Sequence, residues 1–282
     1  MNKLIVLFSW VALSVCLDAQ ITLGTTVGTF GVLAGSTVTS TSTAGTVVIG
    51  SLGVSPGTAI TGITGIAPGG PGIVTGTIHS GDAVAATAQS ELTAAYNAVA
   101  VTASTATWNT DLGGHTFVAG GVYTASTSLG LTGTVTLDCT SNPNGQIIFK
   151  IGSTLTTATN SNVNLLSCLP ANIFWLVGSS ATLGTYSSFS GNILAHDAIT
   201  LTTGASLQGR ALARGAAVTL DDNAITMPAT LGGGTGGGPP VSGGSGLPSA
   251  PAPSSLILVA LALVCAGVYQ ARKRLPKLLG RS

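Results

Sequence analysis

The chain has 282 residues with a formal net charge of +1, only 6% of them are charged, and 40 are Gly. An ordinary soluble domain has about 25% charged residues. A nucleic-acid-binding surface needs clustered Lys and Arg, so nucleic acid is excluded as a partner of the main domain. Low charge combined with 45% hydrophobic residues also excludes ordinary disorder. The length allows one large domain with terminal segments.

The N-terminal segment has the pattern of a secretory signal. Lys3 precedes a continuous apolar run, and Ala19 is a suitable cleavage position. We therefore predict a signal peptide over residues 1–19 and export of the rest. The residues before Cys16 resemble a lipoprotein box, although Val15 is larger than the usual residue there, so lipidation of Cys16 is left as an alternative.

Short strands broken by Gly turns are predicted over residues 22–79, and one helix is predicted over about 82–102. The helical segment contains no Gly or Pro, and its apolar residues recur at helical spacing. Asp82 is placed to cap the first turn, where its carboxylate meets free backbone amides. The positions expected to face the core are Val84, Ala88, Leu92, Ala95, Tyr96 and Val99.

Residues 116–227 consist of runs of Thr, Ser, Gly, Ala and Val that return in register along the chain. Leu183, Leu201 and Leu220 occupy matching positions of successive repeats, whereas Leu155 is matched backward to Val135 and forward to Leu183. We interpret the longer separation of Leu155 from Leu183 as one coil plus an insertion. A nearly fixed period of about 18 or 19 residues predicts a β-solenoid, with each repeat one turn of the coil and its apolar side chains pointing inward.

Two cysteines, Cys139 and Cys168, fall within the predicted domain. Their separation is close to one coil plus the insertion, so the two could face each other on neighbouring turns. In an oxidising compartment the pair predicts a disulfide, with two free buried thiols as the alternative. The three His residues have no partners at metal-ligand spacing, so neither a metal nor a cofactor is expected.

The C-terminal part has the organisation of a protein attached to a membrane or sorted to the cell surface. Residues 231–253 form a Gly/Ser/Pro linker, 254–270 a hydrophobic helix that is short for a span, and 271–282 a basic tail. The positive-inside rule would leave the main domain outside the cell. The arrangement resembles bacterial C-terminal sorting signals without their complete sortase motifs, so retention and processing are both left open. A buried C-terminal helix is the alternative.

Several long phrases occur in a defined order along the middle of the chain. They include TGTIHSGDAVAATAQSELTAAYN at 75–97, GVYTASTSLGLTGTVTLD at 121–138 and GNILAHDAITLTTGASLQGRALARGAAVTLDDNAIT at 191–226. Over about residues 22–227 the chain resembles the DUF3494 type of ice-binding (antifreeze) protein. The resemblance implies a mainly β fold, an irregular three-faced β-solenoid with one long α-helix packed along its side, in a domain over residues 22–230. It also implies ice binding through one flat solenoid face.

An ice surface favours a protein face that is flat, rigid and uncharged. Thr suits such a face because its χ1 is stiff, its methyl group orders water and its hydroxyl can join the lattice. Some relatives in the family carry Thr-Ala/Gly-x-Thr/Asn there, a pattern that Thr157-Ala158-Thr159-Asn160 fits and that the segments at 185 and 203 fit in part. The predicted ice-binding residues are Thr157, Thr159, Asn160, Thr185, Ser187, Ser188, Thr203 and Ser206. An outward ring at Tyr186 is expected to disturb flatness.

Two other classes of protein compete with this interpretation. A β-solenoid enzyme needs clustered carboxylates or bases, and the tight groupings are His196-Asp197 and Asp221-Asp222-Asn223. We interpret the second as a turn, and predict no catalytic residues, no bound calcium and no enzyme activity. The stronger alternative is a non-enzymatic cell-surface adhesin or structural solenoid without ice activity. We expect a monomeric exported domain whose partners are ice and, through the C-terminal helix, a membrane.

Overall fold

A computed structural model describes residues 20–41, 45–63 and 72–228. The predicted signal peptide (1–19), linker (231–253), hydrophobic helix (254–270) and basic tail (271–282) lie outside the described residues. Within the described part of the chain, no helix has the length and hydropathy needed to cross a bilayer.

The described residues form short strands, one long α-helix and two single-turn 3-10 helices at Val27–Thr29 and Pro170–Asn172. The strands before the α-helix are β1 (Phe30–Ala34), β2 (Thr37–Ser40), β3 (Thr46–Ile49), β4 (Ser51–Val54), β5 (Ala59–Thr61), β6 (Gly72–Val74) and β7 (Ile78–Ser80). The helix, α1, spans Ala83–Val101. The strands after it are β8 (Ala106–Thr107), β9 (Thr116–Val118), β10 (Val122–Ala125), β11 (Leu129–Leu131), β12 (Thr134–Asp138), β13 (Ile147–Ile151), β14 (Leu155–Thr157), β15 (Asn162–Leu166), β16 (Ile173–Val177), β17 (Ala181–Leu183), β18 (Ser188–Ala195), β19 (Ile199–Leu201), β20 (Ser206–Ala213), β21 (Val218–Leu220) and β22 (Ala224–Thr226).

The strands form three faces of a solenoid in which neighbouring coils pair in parallel. Face a holds β8, β10, β13, β16, the second halves of β18 and β20, then β1, β4 and β7. Face b is the seven-stranded sheet β11-β14-β17-β19-β21-β2-β5. Face c holds β9, β12, β15, the first halves of β18 and β20, then β22, β3 and β6. The predicted fold class, a mainly β solenoid with three faces and one flanking helix, is confirmed.

The coils do not stack in chain order. The N-terminal strands β1, β2 and β3 pair with β20, β21 and β22, so the first coils of the sequence continue the stack after its last coil. We call these three pairings the junction. Helix α1 then returns along face a from β7 toward β8 at the opposite end, a distance of about 28 Å for its 19 residues.

The pairing register confirms part of the predicted repeat. Leu183 pairs with Leu201, one period later, as the repeat requires. Leu155 instead pairs with Leu129 and Ala181, so its predicted match to Val135 and Leu183 is wrong. The coil from Leu129 to Leu155 and the coil from Leu155 to Ala181 are longer than the standard repeat. Their extra residues lie in the connections between strands, where they leave the strand register undisturbed.

Two apolar cores hold the coils together. Inside the solenoid, Phe149 and Trp175 stack with ring centroids 4.1 Å apart and planes at 7°, and Phe189 packs at 4.8 Å from Trp175. Outside face a, alternate residues such as Phe174 and Leu212 pack beneath α1. The strands of face a beneath the helix are therefore buried on both sides, which explains why β16 reads as five consecutive apolar residues.

Helix α1 begins as predicted and has both ends satisfied. The Ala85 N–H donates to the Asp82 carboxylate at 2.9 Å, so Asp82 is the N-cap. The buried positions are Ala85, Ala88, Leu92, Ala95 and Val99. Val84 is 42% exposed, so the prediction that it faces the core is wrong, and Ala85 takes its place because it lies one position further round the helix.

Lys150 closes the other end of the helix. It occupies a face a position beside Leu176, and its Nζ donates to the Thr102 carbonyl at 2.8 Å. A cation at this end offsets the partial negative charge of the last carbonyls.

Replacing Lys150 should therefore destabilise the fold without affecting the exposed faces. Lys150→Met keeps the apolar stem and removes the donor, and we expect the free energy of unfolding to fall by about 1 kcal/mol. Urea denaturation followed by circular dichroism measures this, with Gln208→Met on face c as the control. Equal unfolding midpoints for the two variants would show that the cap contributes nothing.

The Sγ atoms of Cys139 and Cys168 lie 2.00 Å apart and form a disulfide. The two residues follow β12 and β15, neighbouring strands of face c. The disulfide therefore links the segment that follows β12 to the segment that follows β15.

Candidate functional site

Face b carries a row of Thr side chains along the solenoid axis. One outward residue of each strand is aligned with an outward residue of the next coil. After Gly130 in β11, six consecutive coils place Thr at this position. We call this row the Thr ladder, and it consists of Thr156, Thr182, Thr200, Thr219, Thr39 and Thr61.

The strand geometry makes the Thr ladder regular and rigid. Each member lies beside inward-facing residues, as Thr200 lies between Ile199 and Leu201, both fully buried. Neighbouring strands are spaced by about 4.7–4.9 Å, so six coils give a row about 24 Å long. The Thr61 hydroxyl donates to Thr39 Oγ1 at 3.2 Å. The hydroxyls of the other four members have no partner among the described residues and face outward.

A second row of small residues runs beside the Thr ladder, two positions earlier in each coil. Within it, the Thr154 hydroxyl donates to Ser128 Oγ at 2.8 Å, and Ser180 Oγ accepts from the Ala198 N–H at 3.3 Å. Neither row contains a charged or large side chain, so the outward positions of these two rows are small and uncharged over seven coils. The members of the second row are Ser128, Thr154, Ser180, Ala198, Ala217, Thr37 and Ala59.

Four of the predicted site residues, Thr159, Asn160, Thr185 and Thr203, lie at the corner between faces b and c. Thr159, Thr185 and Thr203 occupy equivalent corner positions on three successive coils, consistent with the register of the strands around them. Thr185 Oγ1 is 3.3 Å from Thr202 Oγ1. The Thr203 hydroxyl donates to the Asp221 carboxylate. This row of hydroxyls is therefore partly occupied by contacts within the protein.

Two predicted residues are corrected by the structure, because their side chains are inside the solenoid. Thr157 is only 3% exposed, since it occupies the inward position that Leu131 has on the preceding coil. Its Oγ1 accepts the Gly184 N–H at 2.8 Å. Ser187 is 1% exposed. Neither hydroxyl can reach an ice surface.

The remaining predicted residues are exposed or half-buried in different places. Asn160 is an exposed corner residue in the left-handed backbone region, with φ of 58°. Ser188 and Ser206 begin β18 and β20 and pair with each other on face c. The structure thus brings Thr159, Asn160, Thr185 and Thr203 together at one corner and places the two serines around it.

Tyr186 also lies at this corner, and its ring does not stand upright on face b. A Cβ on Gly204 of the next coil would lie 2.4 Å from Tyr186 Cδ1, so the ring lies along the corner over that glycine. The expected disturbance of face b by Tyr186 is therefore confined to its edge. Gly204 itself has φ of 68°, a conformation that also favours glycine.

The carboxylates near face b are held at its margins. Asp197 lies at the corner between faces a and b, where hydrogen bonds from the His196 ring and from Ser179 lower the pKa of its carboxyl. Asp111 lies beside Gly130 and Thr132 at the end of the sheet. Burial raises the pKa of Asp111, but hydrogen bonds from Gly113 and Thr132 outweigh it, and the net pKa is lowered.

Comparison with known proteins connects this architecture to a family. A family model described as ice-binding-like matches residues 32–226. The chain belongs to the ice-binding-like family. The ice-binding protein of Nostoc sp. (strain HG1) is 47% identical over 210 residues, which cover 74% of this chain and 75% of the relative.

Solved ice-binding-like structures have the same fold. One is an ice-binding protein from an Antarctic biological consortium, with a TM-score of 0.70 and 40% identity over 80% of this chain and 97% of that chain. Another, from the Antarctic ascomycete Antarctomyces psychrotrophicus, has a TM-score of 0.68 and 38% identity over 75% of this chain and 100% of that chain. The family predicted from the sequence is confirmed.

The motif-based prediction missed the Thr ladder as a row, although the sequence of this ice-binding-like chain contains a pattern that indicates it. Each member follows an apolar residue in a short strand, as in Ala181-Thr182-Leu183, Ile199-Thr200-Leu201 and Val218-Thr219-Leu220. The central residue of an apolar-Thr-apolar strand must point outward when its neighbours are buried.

The two rows of face b contain no titratable group, so ice activity of this surface should not depend on pH near neutrality. The lowered pKa values of Asp111 and Asp197 show that the folded state favours their ionised forms. Their contribution to stability is therefore present above the unfolded pKa and is lost as pH falls through the folded pKa, below about pH 4. We expect constant thermal hysteresis from about pH 5 to about pH 9 and a lower melting temperature in stronger acid. A change in hysteresis of folded protein within that range would contradict this.

Proposed function

We propose that this chain binds ice through face b and thereby inhibits ice growth or recrystallisation, without enzymatic activity. The observation that carries the proposal is the Thr ladder, six outward Thr residues on consecutive coils of an uncharged sheet. The spacing of about 4.7–4.9 Å between coils is comparable to a repeat of the ice lattice. The ice-binding names of the relatives in its family support the same activity.

The physical basis is a face that adsorbs to ice with little ordering of its side chains. Thr has one stiff χ1 torsion, so little rotamer entropy is lost at an interface. Each methyl group orders nearby water, and the hydroxyls of Thr156, Thr182, Thr200 and Thr219, which have no partner within the described part of the chain, can hydrogen bond with that water. Two parallel rows give an ordered two-dimensional array, whereas face a is covered by α1 and face c mixes Ile49, Val118, Leu166 and polar residues.

The corner row containing Thr159, Asn160, Thr185 and Thr203 is proposed as the margin of this site. It borders face b, and its hydroxyls extend the surface beyond the Thr ladder. Ser188 and Ser206 would take part only if ice contact continues around the corner onto face c.

We also propose that the domain is exported and held at the cell surface. The signal-like residues 1–19 and the segment 254–282 support this from sequence, and the Cys139–Cys168 bond is of the kind that persists in oxidising compartments. Attachment of the domain through residues 254–270 would hold the cell to ice. Cell fractionation with an antibody against the domain tests this, since a purely cytosolic antigen would refute export.

The central experiment is to grow ice crystals in the presence of the purified chain. Shaped crystals and a measurable thermal hysteresis are expected. Unmodified discs, at protein concentrations where relatives shape ice, would refute ice binding and favour the alternative of a surface adhesin or structural solenoid.

A further inference from the structure

Arg210 is a buried cation at the junction between the C-terminal and N-terminal coils. It is 3% exposed and begins the face a half of β20, the strand on which β1 docks. Among the described residues it forms no ion pair. Its Nη1 donates to Asn192 Oδ1 at 2.8 Å on the preceding coil, and its Nη2 donates to the Gly28 carbonyl at 2.9 Å on the following one.

These contacts connect segments that are distant in sequence. Asn192 uses its own Nδ2 to donate to the carbonyls of Ala171 and Ile173, each at 3.0 Å. A chain of hydrogen bonds therefore runs across three coils and ends at Gly28, two residues before β1. The bond from Arg210 to Gly28 spans 182 residues of sequence.

Burying an arginine in this way is costly, so stability alone does not explain it. Burial lowers the pKa of Arg210 to about 10, which reflects the loss of water around the guanidinium. Replacing buried ionic groups by apolar ones of similar volume is often neutral or stabilising, whereas polar groups can select one arrangement among several.

Hydrophobic pattern does not fix the register of the junction strands. Strand β1 is five consecutive buried residues, so it has no alternation to align against β20. On face b, residues 37–41 read Thr-Val-Thr-Ser-Thr, and Thr39 lies opposite Thr219. A slip of two residues would again place a Thr, either Thr37 or Thr41, opposite Thr219. A one-residue slip would exchange the inward and outward residues, whereas a two-residue slip keeps the Thr residues of this segment on the outward side.

Such a slip would remove the last member of the Thr ladder. Strand β5 pairs with β2 and would shift with it by two residues. Ala59 or Ile63 would then replace Thr61 in the row. The same slip moves Gly28 by about 6.6 Å along the strand direction, well beyond hydrogen-bonding distance of the guanidinium. The Arg210 contact therefore distinguishes the observed register from the ones that the apolar pattern tolerates.

We propose that Arg210 is a positioning residue that fixes the register in which the N-terminal coils dock, so that Thr39 and Thr61 continue the row begun by Thr156. This inference rests on the proposed function of face b for its effect on ice, but not for its effect on the junction. The role differs from general stabilisation because it concerns which register forms.

The test compares Arg210→Met with Ile193→Ala in the full chain. Ile193 is fully buried in the core inside the solenoid on the neighbouring coil, so its variant lowers stability and keeps the hydrogen bond from Arg210 to Gly28. Thermal hysteresis is measured near the freezing point of water, and circular dichroism at the same temperature checks that each variant is folded. Hydrogen–deuterium exchange is measured for β1 and β2 against β16 and β17.

We expect Arg210→Met to lose a measurable part of its thermal hysteresis, because Thr61 leaves the row, and to exchange faster in β1 and β2 only, while Ile193→Ala keeps its hysteresis. Unchanged exchange at β1 and β2, or exchange accelerated equally in all four strands, would overturn the positioning role. If the unmodified chain shows no hysteresis, the proposed function fails, and the exchange measurement still decides the role of Arg210.

Discussion

Thr200→Lys is expected to abolish most thermal hysteresis while leaving the fold intact. Thr200 is at the middle of the Thr ladder, between Thr182 and Thr219. A Lys there would project beyond the flat surface, hold mobile water, and lose up to about 2 kcal/mol of rotamer entropy on contact with ice. Because Thr200 points outward, the free energy of unfolding should change by no more than about 0.5 kcal/mol. Hysteresis and the melting temperature are measured on the same preparation.

Two matched variants locate the site on face b. Thr136→Lys places the same charge at a half-buried central position of β12 on face c, between Thr116 and Asn164, and should leave hysteresis unchanged. Thr203→Lys tests the corner and should reduce hysteresis less than Thr200→Lys. Full activity of Thr200→Lys together with loss in Thr136→Lys would move the site to face c. A larger loss in Thr203→Lys than in Thr200→Lys would place the corner residues at the centre of the site.

The solenoid could be predicted because its repeat is local. Which residues of each strand face outward was harder to predict. The period aligns Thr185 with Thr203 equally well whether they lie on a face, at a corner or inside. Thr157 fits the family motif, yet it is buried because it takes the place of a Leu in the coil. The pairing of Thr157 with Leu131 shows that Thr157 points inward. Leu131 lies further back along the chain than a repeat of 18 or 19 residues would place the partner of Thr157.

The Thr ladder itself could have been predicted from the aligned leucines. Leu183, Leu201 and Leu220 were matched correctly as inward residues, and the residue before each one is Thr. Strand alternation then requires those Thr side chains to point outward. The extension of the row to Thr39 and Thr61 could not be predicted this way, because it depends on the junction, which pairs segments from opposite ends of the domain such as Thr39 and Thr219.

Trp175→Ala should produce the largest loss of stability and should leave ice activity per folded molecule intact. Trp175 is fully buried, stacks on Phe149 at 4.1 Å, and donates from Nε1 to the Ser190 carbonyl at 3.0 Å. Truncating a buried Trp to Ala typically costs about 3–5 kcal/mol, because apolar contacts are lost and a cavity remains. Its position on face a, pointing into the core, keeps it away from the outward rows of face b.

Trp175→Phe separates the ring from the hydrogen bond. It keeps most of the stacking on Phe149 but leaves the Ser190 carbonyl without its donor, which should cost about 1–3 kcal/mol. Denaturant titration gives both free energies, and thermal hysteresis near freezing gives activity where each variant is folded. Equal stability of the Ala and Phe variants would show that stacking contributes little. Loss of hysteresis in folded Trp175→Ala would show that the aromatic core sets the flatness of face b, because no direct contact of Trp175 with ice is possible.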